Sequence, residues 1–376
     1  MSVEQSTAPP VAPGNRPGVL ARMRGTEIRN LGLVAVLAVL VVIGAATSEN
    51  FLTGDNLENI LVSSSVIGVV IVGATFVIIG GGIDLSVGAI VALASVWATT
   101  LATQSYGPWM MALCALLVGA GAGLINGLLI AYGKLVPFIV TLAMMVTARG
   151  LAARIADNRT QLVTEQPIKD LAKSDVLGIP LLVIILAVVA IAGWVLLNRT
   201  TFGRRVFAIG GNEEAARLAG IDVRLNTALL YVLSGSCCGI AAIMLLARTT
   251  TGSSTHGNLY ELDAIAAIII GGTLLSGGRG TIVGSILGVL VFTVITNIFI
   301  LNNLATETQN IAKGLIIVPR CFCSGARTAA DHHPRVRRRA GSRRRPHFDT
   351  RRFATMDKLT LDRRRLFAGT GLLGAG

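Results

Sequence analysis

Chemistry in this chain can reside in few places, because charged residues make up only 14% of it and apolar residues 52%. The densest polar stretch is residues 201–223, TFGRRVFAIGGNEEAARLAGIDV. It gathers Arg204, Arg205, Glu213, Glu214, Arg217 and Asp222 between two long hydrophobic runs. Charges at this density are too costly for hydrocarbon, so the stretch is expected in water between two membrane spans. Its spacing predicts a short helix, with Asn212 as N-cap and Glu213 and Glu214 in the positive first turn. Gly220 is placed to end it. The chemistry on offer is recognition. Phe207, Ile209, Ala216, Leu218 and Ile221 could supply apolar contacts, and Glu213, Glu214 and Arg217 orientation. The alternative is a solvated connector whose arginines only fix topology.

A second group of candidates is polar and sits within apolar sequence. Asp84 is the one carboxylate between the second and third apolar runs, preceded by Gly80, Gly81 and Gly82 and followed by Ser86. Ionisable residues at such positions are costly and often functional. Ile83–Ser86 also reads as a helix start capped by Asp84. Asp84 and Ser86 are therefore candidates either for a transport path or for a structural cap. Asn126 lies in GAGAGLINGLL, where Gly119, Gly121, Gly123 and Gly127 permit close helix approach, and it either bonds a neighbouring helix or lines a path. Thr296 and Asn297 carry the same two readings.

Other chemistries are excluded or disfavoured. Cys114, Cys237 and Cys238 lie in apolar runs and read as packing residues. Cys321-x-Cys323 has the wrong spacing for a zinc knuckle or a redox pair, and no metal site is expected. No G-x-x-x-x-G-K-[ST] phosphate loop occurs. His332, His333 and His347 fall near the C-terminus, which leaves His256 as the one histidine before it, and no nucleophile–base pair is apparent. The chain does not read as an enzyme, and energy for any work must come from elsewhere.

The elements that position these groups are membrane spans. Mean hydropathy is +0.68, and a span needs about 20 apolar residues. Apolar runs occupy residues 30–48, 57–80, 85–103, 108–132, 136–153, 177–197, 226–247, 263–277 and 280–303, and a tenth begins near Ile311. The fold class is therefore an all-α polytopic membrane protein with about ten transmembrane helices, the last truncated. The chain holds 43 Gly and only 5% aromatics, which suits helices meeting at small residues. The first run reads as a retained span, not a cleaved signal. Arg16, Arg22, Arg24 and Arg29 place the N-terminus in the cytoplasm. Counting from there puts Lys134, residues 198–225 and Arg279 inside, and residues 154–176 and 248–262 outside. Arg154, Arg159, Lys169 and Lys173 run against that count, with Asp157, Glu165, Asp170 and Asp175 beside them. Arg248, His256, Glu261 and Asp263 are then expected at or near the outer face, either solvated or meeting a partner.

Three regions follow: a disordered cytoplasmic segment 1–29, a membrane domain 30–318 and an aberrant tail 319–376. Gly81–Gly88 matches Gly271–Gly278 at five of eight positions, which reads as an internal duplication or as chance in a glycine-rich chain. From Arg320 onward the chain carries 15 Lys+Arg against 4 Asp+Glu, so most of its formal charge of +13 belongs to the tail. The tenth run stops at Pro319, and the Arg-, Ala- and Pro-rich text beyond it has no helical or strand period. Met356 then opens MDKLTLDRRRLFAGTGLLGAG, which resembles the start of a twin-arginine export signal. A frameshift near residue 319, joining the chain to the opening of the next gene, is expected. The alternative is a natural basic tail that binds polyanions.

The blocks GGGIDLSVGAIVAL (80–93), FGRRVFAIGGNEEAARLAGIDV (202–223) and GGTLLSGGRGTIVGSILGVL (271–290) resemble the permease subunits of bacterial ABC importers for monosaccharides, of the ribose and xylose type. The resemblance covers about residues 30–318 and implies a type II importer permease in the bacterial inner membrane. It implies a second permease copy, either identical or a close paralogue, two cytoplasmic ATPase domains and an exported sugar-binding protein as partners, with membrane lipid around them and no specific nucleic acid. The chain itself would hold no cofactor, while ATP and Mg would be used by the partner ATPase. Phe207, Gly211, Asn212, Glu213, Glu214, Ala216, Arg217, Gly220 and Ile221 would form the coupling helix seated on that ATPase. Asp84, Ser86, Asn126 and Asn297 would be the candidates for the path of a polyhydroxylated solute. A permease for another small solute, such as a branched-chain amino acid, and a stand-alone secondary transporter are the alternatives.

Overall fold

The computed structural model describes residues 19–305, 307–309, 311 and 314, with side-chain surroundings from Asn30 onward. Thirteen helices are found among the described residues: α1 (Val19–Thr47), α2 (Gly54–Ile79), α3 (Val87–Ala98), α4 (Leu101–Gln104), α5 (Pro108–Ala131), α6 (Pro137–Ile155), α7 (Gln166–Lys173), α8 (Leu181–Arg199), α9 (Thr201–Gly211), α10 (Glu213–Leu218), α11 (Val223–Thr249), α12 (Tyr260–Ile270) and α13 (Ile282–Leu301). Two short antiparallel pairings join loops: β1 (Gln161–Leu162) with β4 (Thr251–Gly252), and β2 (Asp175–Val176) with β3 (Ile179–Pro180). Helix α1 begins at Val19, inside the segment assigned to residues 1–29 as disordered. The tail 319–376, with Cys321, Cys323 and its arginine clusters, lies outside the described residues.

Seven of these helices are long and apolar enough to cross a membrane: α2, α5, α6, α8, α11, α13 and residues 30–47 of α1. Two of the runs expected to span give shorter helices among the described residues. Helix α3 has 12 residues and α12 has 11, short of the roughly 20 a span needs. Glycine-rich breaks at residues 80–86 and 271–281 cut the flanking apolar text into pieces. Proline at the first turn starts α5 and α6, where its missing N–H costs nothing. Asp222 caps α11 and Thr281 caps α13, through side-chain acceptors for Leu225 N (3.0 Å) and Gly284 N (3.1 Å).

Helix α2 runs through the centre and is apolar on all sides, as a helix enclosed by others must be. Helix α11 packs on α2, α3 and α5. Its contact with α5 has no side chains between the backbones. A methyl group on Gly119 or Gly123 would collide with the carbonyl of Gly235 or of Tyr231, respectively. Close approach at small residues replaces the hydrophobic drive that lipid removes. The outward faces of α1, α5, α6 and α8 remain apolar, with Leu31, Leu117, Val146 and Val188 exposed.

The two breaks begin identically. Gly80, Gly81 and Gly82 N–H donate to the carbonyls of Phe76, Ile78 and Val77. Gly271, Gly272 and Thr273 donate to those of Ala267, Ile269 and Ile268. Gly81 and Gly272 take φ of 86° and 83°, the left-handed conformation that closes a helix. The structural equivalence therefore pairs Gly80-Gly81 with Gly271-Gly272, one residue out of register with the alignment that maximises identities.

Candidate functional site

The three quoted blocks meet at one end of the bundle. Helix α9 lies under the end of α2, where Gly210 has no room for a side chain. A methyl group there would strike the Ile79 carbonyl and lie 2.7 Å from Gly278 N. Gly278 N in turn donates to the Ile79 carbonyl (2.8 Å), which ties the break after α12 to the break after α2. Val206 and Ile209 are buried, and Phe202 packs against Phe76 with ring centroids 6.4 Å apart.

The polar stretch forms two helices where the sequence predicts one. Asn212 ends α9 and caps α10, its Oδ1 accepting from Ala215 N at 3.0 Å. Glu213 and Glu214 occupy the first turn of α10, and Gly220 follows its end with φ of 78°. Arg217 reaches Glu213 (2.8 Å) and Glu214 (3.3 Å). These pairs are solvent-exposed and add little stability, but they hold the charged face in one arrangement. Gly211, Asn212, Glu213, Glu214, Arg217 and Gly220 are exposed, as is Leu218. Phe207 and Ile221 are half-buried. Ala216 and Ile209, read from sequence as apolar contacts for a partner, are buried within the chain itself. Beside this surface a cavity of about 850 Å³ is lined by Gly82, Lys134, Glu213, Arg217, Arg224 and Tyr231.

Of the four path candidates, the structure brings three together and sets one apart. Asp84 is buried. One carboxylate oxygen accepts from Ser86 N (3.0 Å) and Ser86 Oγ (2.5 Å), and the other from Ser234 Oγ (2.9 Å) on α11. Asn126 Nδ2 on α5 donates to Ser86 Oγ (2.9 Å), and its Oδ1 has no partner. Asp84 thus satisfies one backbone amide in a turn before α3, not the several amides of a helix start; the N-cap position belongs to Ser86. Asn297 lies elsewhere. It exchanges amide hydrogen bonds with Asn56 on α2 (2.7 and 3.1 Å) and joins α2 to α13. Ser234 and Asn56 carried no distinguishing signal in the sequence, because each acquires its role from a residue far along the chain.

The opposite end of the molecule departs furthest from expectation. Residues 250–259 do not stay at the rim where β1 pairs with β4. Gly252 packs on Thr99 at the end of α3, His256 Nδ1 lies 3.3 Å from Ser95 Oγ, and Gly257 rests on the backbone of Gly88. The loop thus descends along α3 by about 16 Å at 1.5 Å per residue. Its carbonyls at Ser254 and His256 receive Nη1 of Arg149 on α6, at 2.7 Å each. Backbone groups in a buried loop need such donors. Glu261, expected at the outer face with His256, stands instead against Gly88. Burial and the nearby Arg149 charge push His256 below the usual imidazole range. Sequence reading passed over Arg149, although a charge inside the apolar run 136–153 was a signal of the kind that marks function.

Comparison with known proteins agrees with this architecture. Residues 56–319 match the family described as branched-chain amino acid transport system / permease component. The match ends where the text changes character. The chain is 40% identical to the ribose import permease protein RbsC of Bacillus subtilis (strain 168), over 77% of this chain and 91% of that protein. It is 37% identical to RbsC of Escherichia coli (strain K12), over 76% and 90%. It is 35% identical to the D-allose transport system permease protein AlsC of the same strain, over 76% and 89%. No solved structure matches the chain.

Proposed function

This chain belongs to the family of permease components of branched-chain amino acid transport systems, and on that premise we propose that it is the membrane subunit of an ATP-driven importer for a monosaccharide. The subunit is not catalytic; ATP hydrolysis resides in a separate ATPase, and a substrate-binding protein delivers the solute. The protein is a multi-pass protein of the inner membrane. Beyond this, we assign the N-terminus to the cytoplasm, from its arginines. We also assign a second permease copy, identical or paralogous, as the partner that completes the pathway, and ATP with Mg to the ATPase alone. The full family fold of about ten helices would require the last one, which this chain replaces from Pro319 onward.

One observation carries the mechanism. The charged, capped α9–α10 unit stands outside the apolar bundle yet touches both helix breaks through Gly210. A push on α10 from an ATPase therefore reaches residues 80–86 and 271–281 as rigid-body motion. The docking face consists of Leu218 with Glu213, Glu214 and Arg217. We assign Asp84, Ser86 and Asn126, candidates for the path from sequence, to holding the first break to α5 and α11, and Asn297 to holding α13 to α2.

Reconstitution with the neighbouring ATPase and binding protein tests the function. Labelled monosaccharide should enter vesicles only with ATP, and unlabelled leucine should not compete. Uptake driven by a proton gradient without the ATPase would defeat the reading. For the docking face, Leu218→Glu should lower ATPase retention on the solubilised permease by about tenfold, the cost of a charge in an apolar contact. Membrane abundance should not change. Undiminished retention would remove α10 from the interface.

We further assign residues 319–376 to a frameshifted junction. The junction lies outside the described residues; a last span cut to half its length would leave backbone groups unpaired in hydrocarbon, at several kcal/mol each. A chain with the last helix restored should accumulate to several-fold higher levels in the membrane. Equal levels and equal uptake for both chains, or an intact frame on resequencing, would refute the assignment.

A further inference from the structure

Deepening the importer reading, and resting on it, we propose that the cavity between Arg149 and Glu261 is a subsite for the transported solute, a neutral polyhydroxylated molecule. The cavity has a volume of about 380 Å³. That is within the range of small-molecule sites, roughly 300–1,000 Å³. Its walls come from α6 (Met145, Val146, Arg149, Gly150) and from the turn into α12 (Asn258, Glu261).

Position, charge and unused valence single it out. Arg149 lies about 18 Å along α6 from Pro137 and about 9 Å from Ile155, at 1.5 Å per residue, and α6 is a candidate span. A cation at that depth is rare and faces a polar cavity when it occurs. Its bonds to Ser254 and His256 use Nη1 alone. Nε and Nη2 keep their N–H donors without a partner among the described residues. Glu261 Oε2 is likewise without a partner and packs on Gly88. Arg149 and Glu261 lie near enough for their charges to interact, yet they form no ion pair. The Arg149 guanidinium and the Glu261 side chain thus line one small space, together with the apolar side chains of Met145 and of Val146, which is exposed on the outward face of α6.

Vicinal hydroxyls meet both needs. Their oxygens accept from the guanidinium while their O–H groups donate to the carboxylate, and the C–H face of a sugar ring lies on the apolar side chains. The two side chains sum to zero charge, so a neutral solute leaves no net charge in the membrane. By contrast, Asp84, Ser86 and Asn126 are buried and bonded to one another and to Ser234, and none of them lines this cavity.

The test compares uptake ratios, not total uptake. Wild type, Glu261→Gln and Arg149→Lys are reconstituted with the same ATPase and binding protein. Uptake is measured for a monosaccharide and for its series of mono-deoxy analogues. Each ratio is divided by the wild-type ratio, which cancels the selectivity of the binding protein. A site built to bond a hydroxyl strongly rejects the analogue that lacks it. In wild type, at least one deoxy position should therefore lower uptake by about tenfold, and in Glu261→Gln or Arg149→Lys that penalty should shrink to about twofold. A variant that only weakens folding or loop placement lowers every sugar by the same factor, so ratios unchanged in both variants overturn the proposal. Competition by a zwitterionic amino acid, whose two charges also match Arg149 and Glu261, overturns the assigned solute class. Wild type that carries no monosaccharide at all overturns the importer reading beneath it.

Discussion

Asp84→Ala is expected to remove most of the folded protein from the membrane. Three donors converge on that carboxylate: Ser86 N, Ser86 Oγ and Ser234 Oγ. The Ser86 hydroxyl also accepts from Asn126, so its own hydrogen is committed to Asp84. Alanine orphans all three donors at once. Each buried donor left unmade costs about 1–3 kcal/mol, so the loss is on the order of 3 kcal/mol or more. That is a large share of the 5–15 kcal/mol by which folded proteins are stable. It also removes the Ser234 link between the break at residues 80–86 and α11, leaving Asn126 on Ser86 as the link to α5. Asp84→Asn keeps one acceptor oxygen and should retain an intermediate level. Thermal unfolding of the purified protein and its abundance in membranes read the effect. An alanine variant with the wild-type midpoint would show that these bonds do not support the break.

Gly210→Val is expected to abolish uptake. Any side chain at this position enters the space of the Ile79 carbonyl and of Gly278 N, which are hydrogen-bonded to each other. Neither neighbour is a flexible side chain that can turn aside, so the backbone of α9 must move away. Overpacking of this kind costs about 1–3 kcal/mol or more. The displaced α9 would no longer bear on the two breaks. ATPase binding through the exposed face of α10 should survive where the protein is recovered, while ATP-driven uptake is lost. The measurement is uptake per ATP hydrolysed in vesicles. A valine variant that transports at the wild-type ratio would separate Gly210 from the coupling route.

Much of the fold was legible in the chain because a membrane span is a local property. The text of about 20 residues either is apolar enough or is not, and each apolar run from residue 30 to residue 303 became a helix. The capped unit was legible for the same reason: Asn212, Glu213, Glu214 and Gly220 lie within one turn or two of the groups they serve. Span lengths were less legible. The runs 85–103 and 263–277 were counted as whole spans, yet α3 stops at Thr99 and α12 at the glycine turn that begins with Gly271.

What the residues determined alone was composition, helix positions, caps and the capped polar segment, since each rests on contacts between near neighbours. Tertiary structure decided which distant groups share a site. Asn126 and Ser234 reach Ser86 and Asp84 only because glycines let α5 and α11 touch, and Asn297 finds Asn56 across the bundle. Gly257 settling on Gly88 carries Glu261, read from sequence as an outer-face residue, down beside Arg149, and both side chains line one cavity. Such pairings depend on how backbones pack in three dimensions, and no spacing along a single chain encodes that distance.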